Sequence, residues 1–315
     1  MESLRNITPL VLAFTPNYLI PAATLLCSVL AHAAAGERFQ VICLLSEPLP
    51  LQMQQDLQAI DRQRLTFRYI NLEGALQDIY INPKYTVAAS YRLLLPDLLP
   101  EYDKVLYLDC DMVVRNDLGR LFRETAMDSH YLAGVVEASL DFQVPHLEAI
   151  GCPQGSYINS GFLIMNLDKL RKDGLVPTFI EASKADNLEF PDQDVLNMVC
   201  KSAILALPPH YNSIRTFFLP QYKADFLRYY TEAEWQMVQQ HGNIHYTGAK
   251  PWRAFTVMFN VWWNHFEKLP IQLRKQAFAA GRMQLLHKLY RTAAGRSLIN
   301  GMQQLYRRYQ LNKAL

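Results

Sequence analysis

The sequence predicts an α/β fold in which a mostly parallel sheet is covered by helices on both faces. Short, nearly uninterrupted apolar runs alternate with helix-periodic segments, which is the βαβ rhythm of such sheets. The 315 residues are 50% hydrophobic and only 19% charged, which suits one large buried core and excludes a disordered chain. One apolar run ends abruptly in two aspartates, as expected of a strand reaching the ligand-binding carboxyl edge of a sheet.

The elements follow in order. Residues 9–14 form a first strand, and no basic segment precedes it, so no signal peptide is expected. The apolar stretch 19–35 is about a bilayer span at most, but Pro21 near its start and Gly36 at its end mark a buried helix, predicted over 21–35. Residues 39–45, 65–70 and 105–108 read as further strands, with helices over 49–60 and 88–95 between them. Strands at 131–137, 161–166 and 203–207 follow. A helix over 191–200 carries Asp192 and Asp194 in its first turn, where the helix dipole favours acids. The five cysteines, Cys27, Cys43, Cys110, Cys152 and Cys200, are odd in number and form no C-x-x-C pair. They read as reduced, mostly buried thiols rather than disulfide partners or zinc ligands.

A net charge of +2 conceals an asymmetry. Residues 1–270 carry −7, whereas residues 271–315 carry nine basic residues and no acid; the last acid is Glu267. A chain-wide nucleic-acid surface is excluded on this count, and a boundary is expected at 270 between a catalytic domain (1–270) and a basic helical tail (271–315). In the tail, Leu286, Leu289, Tyr290, Ala293 and Ala294 recur at helical spacing, and Ile299, Met302, Leu305, Tyr306 and Tyr309 form a second stripe. Arg282, Lys288, Arg291, Arg296, Arg307, Arg308 and Lys313 are interspersed. An acid-free amphipathic helix of this kind suits an anionic membrane surface; the alternative is a helix packed on its own domain.

The sharpest chemical feature is the 104–114 segment, in which an apolar strand delivers Asp109 and Asp111 to its end. Residues i and i+2 of an extended chain point the same way, so both carboxylates can reach one hard divalent cation, which in turn can grip a nucleotide's phosphates. Two other function classes stay open at this point. Asp109-Cys110-Asp111-Met112-Val113 also fits the nucleophile and acid pair of a haloacid-dehalogenase-type phosphatase, though that reading leaves segments 159–167 and 245–252 unexplained. A non-catalytic sugar-binding module would use aromatic surfaces such as Trp252, Trp262 and Trp263.

Six segments then occur in order: Ala13-Phe14-Thr15-Pro16-Asn17-Tyr18, Ser90-Tyr91-Arg92, the D-x-D strand, Asn159-Ser160-Gly161 opening an apolar run, Asp192-Gln193-Asp194, and His245-Tyr246-Thr247-Gly248-Ala249-Lys250-Pro251-Trp252. Together they resemble the family 8 glycosyltransferases, retaining enzymes of the GT-A fold, and within them the bacterial lipopolysaccharide galactosyl- and glucosyltransferases. The resemblance covers about residues 10–268.

It implies transfer of a hexose from UDP-galactose or UDP-glucose to a saccharide acceptor, the lipopolysaccharide core. Asp109, Asp111 and His245 would hold Mn²⁺, with Mg²⁺ as the alternative, to neutralise the departing UDP; mixed carboxylate and imidazole ligands suit manganese. By the same resemblance Asn17 and Tyr18 meet ribose and uracil, Cys110 lies on the donor side between the metal-binding acids, and Gly248 and Lys250 face the diphosphate. Thr15 departs from the family, which carries an acid there. Arg92, Asn159 and Asp192 fall beside the donor sugar, and Gln193 near its anomeric carbon. An amide is a poor nucleophile, so Gln193 is expected to stabilise charge in a same-face substitution, with double displacement as the alternative. The expected location is the cytoplasm, at the inner face of the cytoplasmic membrane through residues 271–315.

Overall fold

The computed structural model describes residues 7–276 and 281–301. Its strands are β1 (Ile7–Phe14), β2 (Arg38–Leu45), β3 (Leu65–Asn71), β4 (Lys104–Leu108), β5 (Met112–Val113), β6 (Leu132–Val136), β7 (Ile158–Asn166), β8 (Ile204–Ala206), β9 (Ser213–Ile214) and β10 (Ile244–His245). Seven of them make one sheet in the order β3-β2-β1-β4-β7-β6-β8. Only β7 runs against its neighbours; the other six strands share one direction. The α/β sheet expected from the sequence is thus present.

Alternate residues of each strand enter different cores. Leu10, Leu12, Leu106 and Leu108 join one, with the Leu19–His32 and Phe259–Phe266 helices. Val11, Val105, Tyr107 and Leu163 join the other, with the Leu167–Lys172, Leu175–Ala182 and Pro191–Cys200 helices. Burial on both faces removes any need for polar alternation, which is why these strands read as continuous apolar runs.

Two expected helices differ in detail. The first begins at Leu19, two residues earlier than predicted, because Pro21 falls within its first turn, where a missing N–H forfeits no intrahelical bond. The segment predicted as a helix over 88–95 is instead a 3-10 helix, Val87–Leu94, followed by a single α-turn, Leu95–Leu98, containing Pro96. At three residues per turn, positions i and i+3 eclipse, so Thr86, Ala89 and Arg92 fall in one row. All three line one cleft at the carboxyl edge of the main sheet.

A second, three-stranded sheet, β5-β10-β9, was not legible in the sequence. Its strands are two residues long, too short for any periodicity to register. β10 pairs antiparallel with β5, setting His245 opposite Met112.

After Glu267 the described chain packs back on the domain. Helix Ile271–Gln276 contacts the Leu19–His32 and Leu51–Gln58 helices. Helix Gly281–Tyr290 lies on Phe259–Phe266: His287 is fully buried and stacked on Trp263 at 6.1 Å, Tyr290 meets Phe259 edge-on at 5.1 Å, and Arg291 pairs with Glu267 at 2.7 Å. Met283, Leu286 and Tyr290 pack inward, whereas Leu285 and Leu289 stay exposed. The predicted stripe therefore divides between two faces. Of the tail residues named above, Met302, Leu305, Tyr306, Arg307, Arg308, Tyr309 and Lys313 lie outside the described residues. Among the described residues no helix is long and apolar enough to cross a membrane.

Candidate active site

A cleft of about 540 Å³ opens at the carboxyl edge of the main sheet, beyond β1 and β4. The reversed direction of β7 matters here. Its first residues, not its last, lie beside the end of β4, and Asp109 N–H donates to Gly161 O at 2.8 Å. Asn159, Ser160 and Gly161 thereby reach the same edge as the D-x-D pair.

Asp109 and Asp111 both line the cleft, but from the turn that joins β4 to β5 rather than from the extended strand itself. Cys110 points the other way: its thiol is buried in the core, 3.8 Å from Ala13 O, and burial pushes its pKa well above the ordinary thiol value. Cys110 therefore contributes only to the wall of the cleft, and the charged groups of this turn are the two carboxylates. The small sheet brings in the third member, with Tyr246 N–H bonded to Asp111 O at 3.0 Å. His245 Nε2 lies 3.3 Å from Asp111 Oδ1 and 3.7 Å from Asp109 Oδ2. Ligand atoms of Asp109, Asp111 and His245 all fall within 4.8 Å of one another, the spacing one cation could bridge.

Each of these groups is held from behind. Arg92 is 2% exposed and donates from Nη2 to Asp109 Oδ1 at 2.8 Å, while its Nε lies 3.3 Å from Asp192 Oδ2. Its guanidinium also covers the Tyr107 ring at 4.1 Å, and Tyr107 Oη donates to the same Asp109 oxygen at 3.1 Å. Burial opposes the arginine's charge, but Asp109 and Asp192 outweigh it and raise its pKa further. Arg92 thus positions two carboxylates rather than standing free in the cleft.

Burial likewise opposes the Asp111 carboxylate, but Lys250 and His245 outweigh it and hold its pKa well below the usual range. Lys250 bonds Asp111 Oδ2 and Tyr246 O. Burial works against its ammonium, and Asp111 more than compensates. Gly248, in the same loop, has φ +81° with no atom within 4 Å of where a Cβ would lie. Left-handed backbone, not crowding, is what calls for glycine there.

Gln193 occupies the opposite wall. Its Oε1 accepts from Asn159 Nδ2 and from Ser160 N–H, both at 3.0 Å, and its Nε2 donates to Glu137 Oε2 at 2.8 Å. Asp192 Oδ2 accepts from Ser160 Oγ at 2.8 Å, and burial raises the Asp192 pKa against the pull of Arg92. Asp194, two residues on, is fully buried away from the cleft, accepting from Tyr157 Oη, His146 Nε2 and the N–H groups of Glu189 and Phe190. Its position is explained by these bonds.

The cleft therefore gathers Tyr18, Arg92, Asp109, Cys110, Asp111, Asn159, Asp192, Gln193, His245, Gly248 and Lys250 from the sequence expectations. Asn17 does not join them; it is exposed and outside the lining. Thr15 does line it, and Tyr18 packs edge-on against Trp252 at 5.8 Å. Polar residues of the lining that the sequence did not single out include Lys84, Tyr85, Thr86 and Glu137, and Asn212 lies just behind it. Glu137, whose pKa burial raises while the Gln193 amide pulls it down, ends an apolar strand at the carboxyl edge, the same signal that exposed Asp109. Asn212, bonded to both Asn159 and His245, is an isolated loop asparagine with no local signature.

Comparison with known proteins places this fold. The solved complex of a galactosyltransferase, LgtC, with donor and acceptor sugar analogues superposes with a TM-score of 0.70 at 24% identity, covering 86% of this chain and 100% of that one. The apo bifunctional glycosyltransferase WbbM superposes with a TM-score of 0.72 at 19% identity, over 86% of this chain and 52% of that one. The architecture is the GT-A fold.

Residues 9–256 match the sequence model of glycosyl transferase family 8, and the chain belongs to that family. It is 30% identical over 202 residues to a lipopolysaccharide 1,2-glucosyltransferase of Escherichia coli (strain K12), covering 62% of this chain and 57% of that one. A second Escherichia coli protein of the same name is 28% identical over 247 residues, covering 75% of this chain and 70% of the relative. The chain thus spans between half and three quarters of the length of these relatives. The phosphatase alternative finds no support in these matches. Nor does the chain order favour it, since the D-x-D strand is β4.

Proposed function

We propose that the protein is a metal-dependent retaining hexosyltransferase that moves galactose or glucose from a UDP-sugar to a saccharide hydroxyl of the lipopolysaccharide core. The observation that carries this reading is the convergence of Asp109, Asp111 and His245 across the cleft from Gln193, Asn159 and Asp192. Two carboxylates and an imidazole fit Mn²⁺, with Mg²⁺ as the alternative, and such a dication would supply Lewis-acid neutralisation of the departing diphosphate. Arg92 and Tyr107 hold Asp109 in place for it. Lys250, now paired with Asp111, is close enough to share a phosphate's charge, and the left-handed turn at Gly248 leaves open space beside it.

At the sugar end, Asn159, Asp192 and Gln193 orient the hexose, and the Gln193 amide, held between Ser160 and Glu137, faces the reacting carbon without being a nucleophile. Preorganised polar groups of this kind favour a same-face substitution over a covalent intermediate. Tyr18 and Thr15 lie at the end of β1, where the nucleoside would sit.

The domain reading keeps residues 1–270 as catalytic and 271–315 as a membrane-facing appendage at the inner surface of the cytoplasmic membrane. It is supported by the outward face of the packed helix, where Arg282, Leu285, Lys288 and Leu289 are all exposed and no acid intervenes.

The test is a screen of UDP-galactose, UDP-glucose and other nucleotide sugars for hydrolysis with and without Mn²⁺. Release of UDP from one UDP-hexose, dependent on the ion, is expected. Ion-independent turnover, or release of inorganic phosphate from simple phosphoesters, would defeat the proposal.

A further inference from the structure

His245 can serve as a metal ligand through Nε2 only if that nitrogen presents a lone pair, so the ring's single proton must reside on Nδ1. The surroundings pull the other way. Two carboxylates, Asp111 Oδ1 at 3.3 Å and Asp109 Oδ2 at 3.7 Å, would draw a proton onto Nε2.

The opposing influence can be traced atom by atom. The backbone N–H of Gly161 bonds Asn159 Oδ1 at 3.1 Å, so that atom is an oxygen and the Asn159 amide nitrogen must turn to Gln193. Ser160 N–H independently requires an oxygen on the Gln193 side facing it, in agreement. Asn159 Oδ1 then demands a donor from Asn212, whose Nδ2 lies 2.9 Å away. Only one atom of the Asn212 amide remains, its Oδ1, and it lies 3.0 Å from His245 Nδ1. That oxygen can only accept. Two backbone N–H groups of β7 thus set three side-chain amides and, through them, the tautomer of the histidine.

We infer that Asn212 is a positioning residue of the metal centre: it holds the proton on His245 Nδ1, leaves the Nε2 lone pair directed between Asp109 and Asp111, and links that ligand through Asn159 to Gln193 at the sugar end. Full burial of Asn212 removes competition from water for these bonds. The inference rests on the metal-dependent reading proposed above.

The experiment uses the full chain labelled with ¹⁵N-histidine, metal-free, at a pH where each ring carries one proton. The His245 signals are assigned by their loss in His245→Gln. Wild type should carry the proton on Nδ1. Asn212→Leu, similar in volume but unable to accept, should shift it to Nε2 and weaken Mn²⁺ binding, read by electron paramagnetic resonance of free Mn²⁺, by about 10- to 100-fold. Asn212→Asp retains an acceptor but loses the donor to Asn159. It should keep the proton on Nδ1, which tests the inference even if the leucine variant does not fold. An Nε2 proton in wild type or in Asn212→Asp, or a folded Asn212→Leu variant that keeps its Nδ1 proton or its Mn²⁺ affinity, overturns the inference. Failure of wild type to bind Mn²⁺ would instead sink the metal reading, while the tautomer arm still decides the role of Asn212.

Discussion

Gly161 offers the most direct test of the cleft. Its carbonyl accepts from Asp109 N–H, and its missing side chain leaves the space that His245 and the Asp109 carboxylate occupy. A Cβ at this position would lie 2.3 Å from His245 Cε1, 2.7 Å from Asp109 Oδ2 and 3.0 Å from His245 Nδ1. Nonbonded carbons sit roughly 3.5–4.0 Å apart, so in Gly161→Ala the imidazole must retreat by about 1 Å or more. Metal ligands tolerate about 0.2 Å. The retreat also strains the bond from His245 to Asn212, and loss of such outer contacts alone costs about 10- to 100-fold in affinity. Gly161→Ala should therefore weaken Mn²⁺ binding by on the order of 100-fold, equivalent to about 2.7 kcal/mol at 1.36 kcal/mol per tenfold. The overpacking penalty on the fold should be about 1–3 kcal/mol, a modest fall in Tm. Mn²⁺ titration followed by electron paramagnetic resonance, with circular dichroism to confirm folding, reads both effects. A folded Gly161→Ala protein with Mn²⁺ affinity and UDP-hexose turnover within twofold of wild type would show that the ring and Asp109 do not form a site at this edge.

Other perturbations separate the remaining roles. Asp109→Asn or Asp111→Asn removes a charged ligand from the proposed site and should abolish ion-supported UDP release while preserving the fold; full activity of either variant in metal-limited buffer would refute the ligand assignment. Gln193→Glu would set a second carboxylate about 2.8 Å from Glu137, where two like charges repel by about 6 kcal/mol at an effective dielectric near 20. The pair should then keep one proton, with a folded-state pKa above the ordinary carboxylate value. Because the raised pKa belongs to the folded state, the variant should match wild type in Tm near pH 4.5 and fall progressively below it as pH rises. Parallel Tm profiles from pH 4 to 8 would contradict the contact. At the tail, the paired change Leu285→Glu and Leu289→Glu alters exposed side chains only, and should leave UDP-hexose hydrolysis unchanged while reducing co-sedimentation with anionic liposomes at low salt. Equal co-sedimentation of the double variant would count against a membrane role for this face.

The sequence alone determined the features that depend on local patterning. Apolar runs such as those ending at Phe14 and Leu108 announced strands buried on both faces, because burial of a whole strand leaves its mark residue by residue. The D-x-D pair was legible because an apolar run that stops abruptly in two acids marks where a buried strand reaches the edge of its sheet, although the acids themselves sit in the turn between β4 and β5. Features that depend on distant partners were decided only by tertiary structure. His245 reaches Asp111 because two-residue strands, β5 and β10, pair across more than a hundred residues of chain, and strands that short carry no period. Asn159 and Gly161 face the cleft because β7 is reversed, a choice made by its neighbours in the sheet rather than by its own composition. Arg92 was expected at the site, but its pairing with Asp109 and Asp192, which lie far along the chain, became visible only in the fold. The surface helix at Gly281–Tyr290 shows the same division. Its amphipathic character was plain, but which of Leu286 and Leu289 would be covered depended on the aromatic surface of Phe259–Phe266, whose shape exists only once the chain has folded.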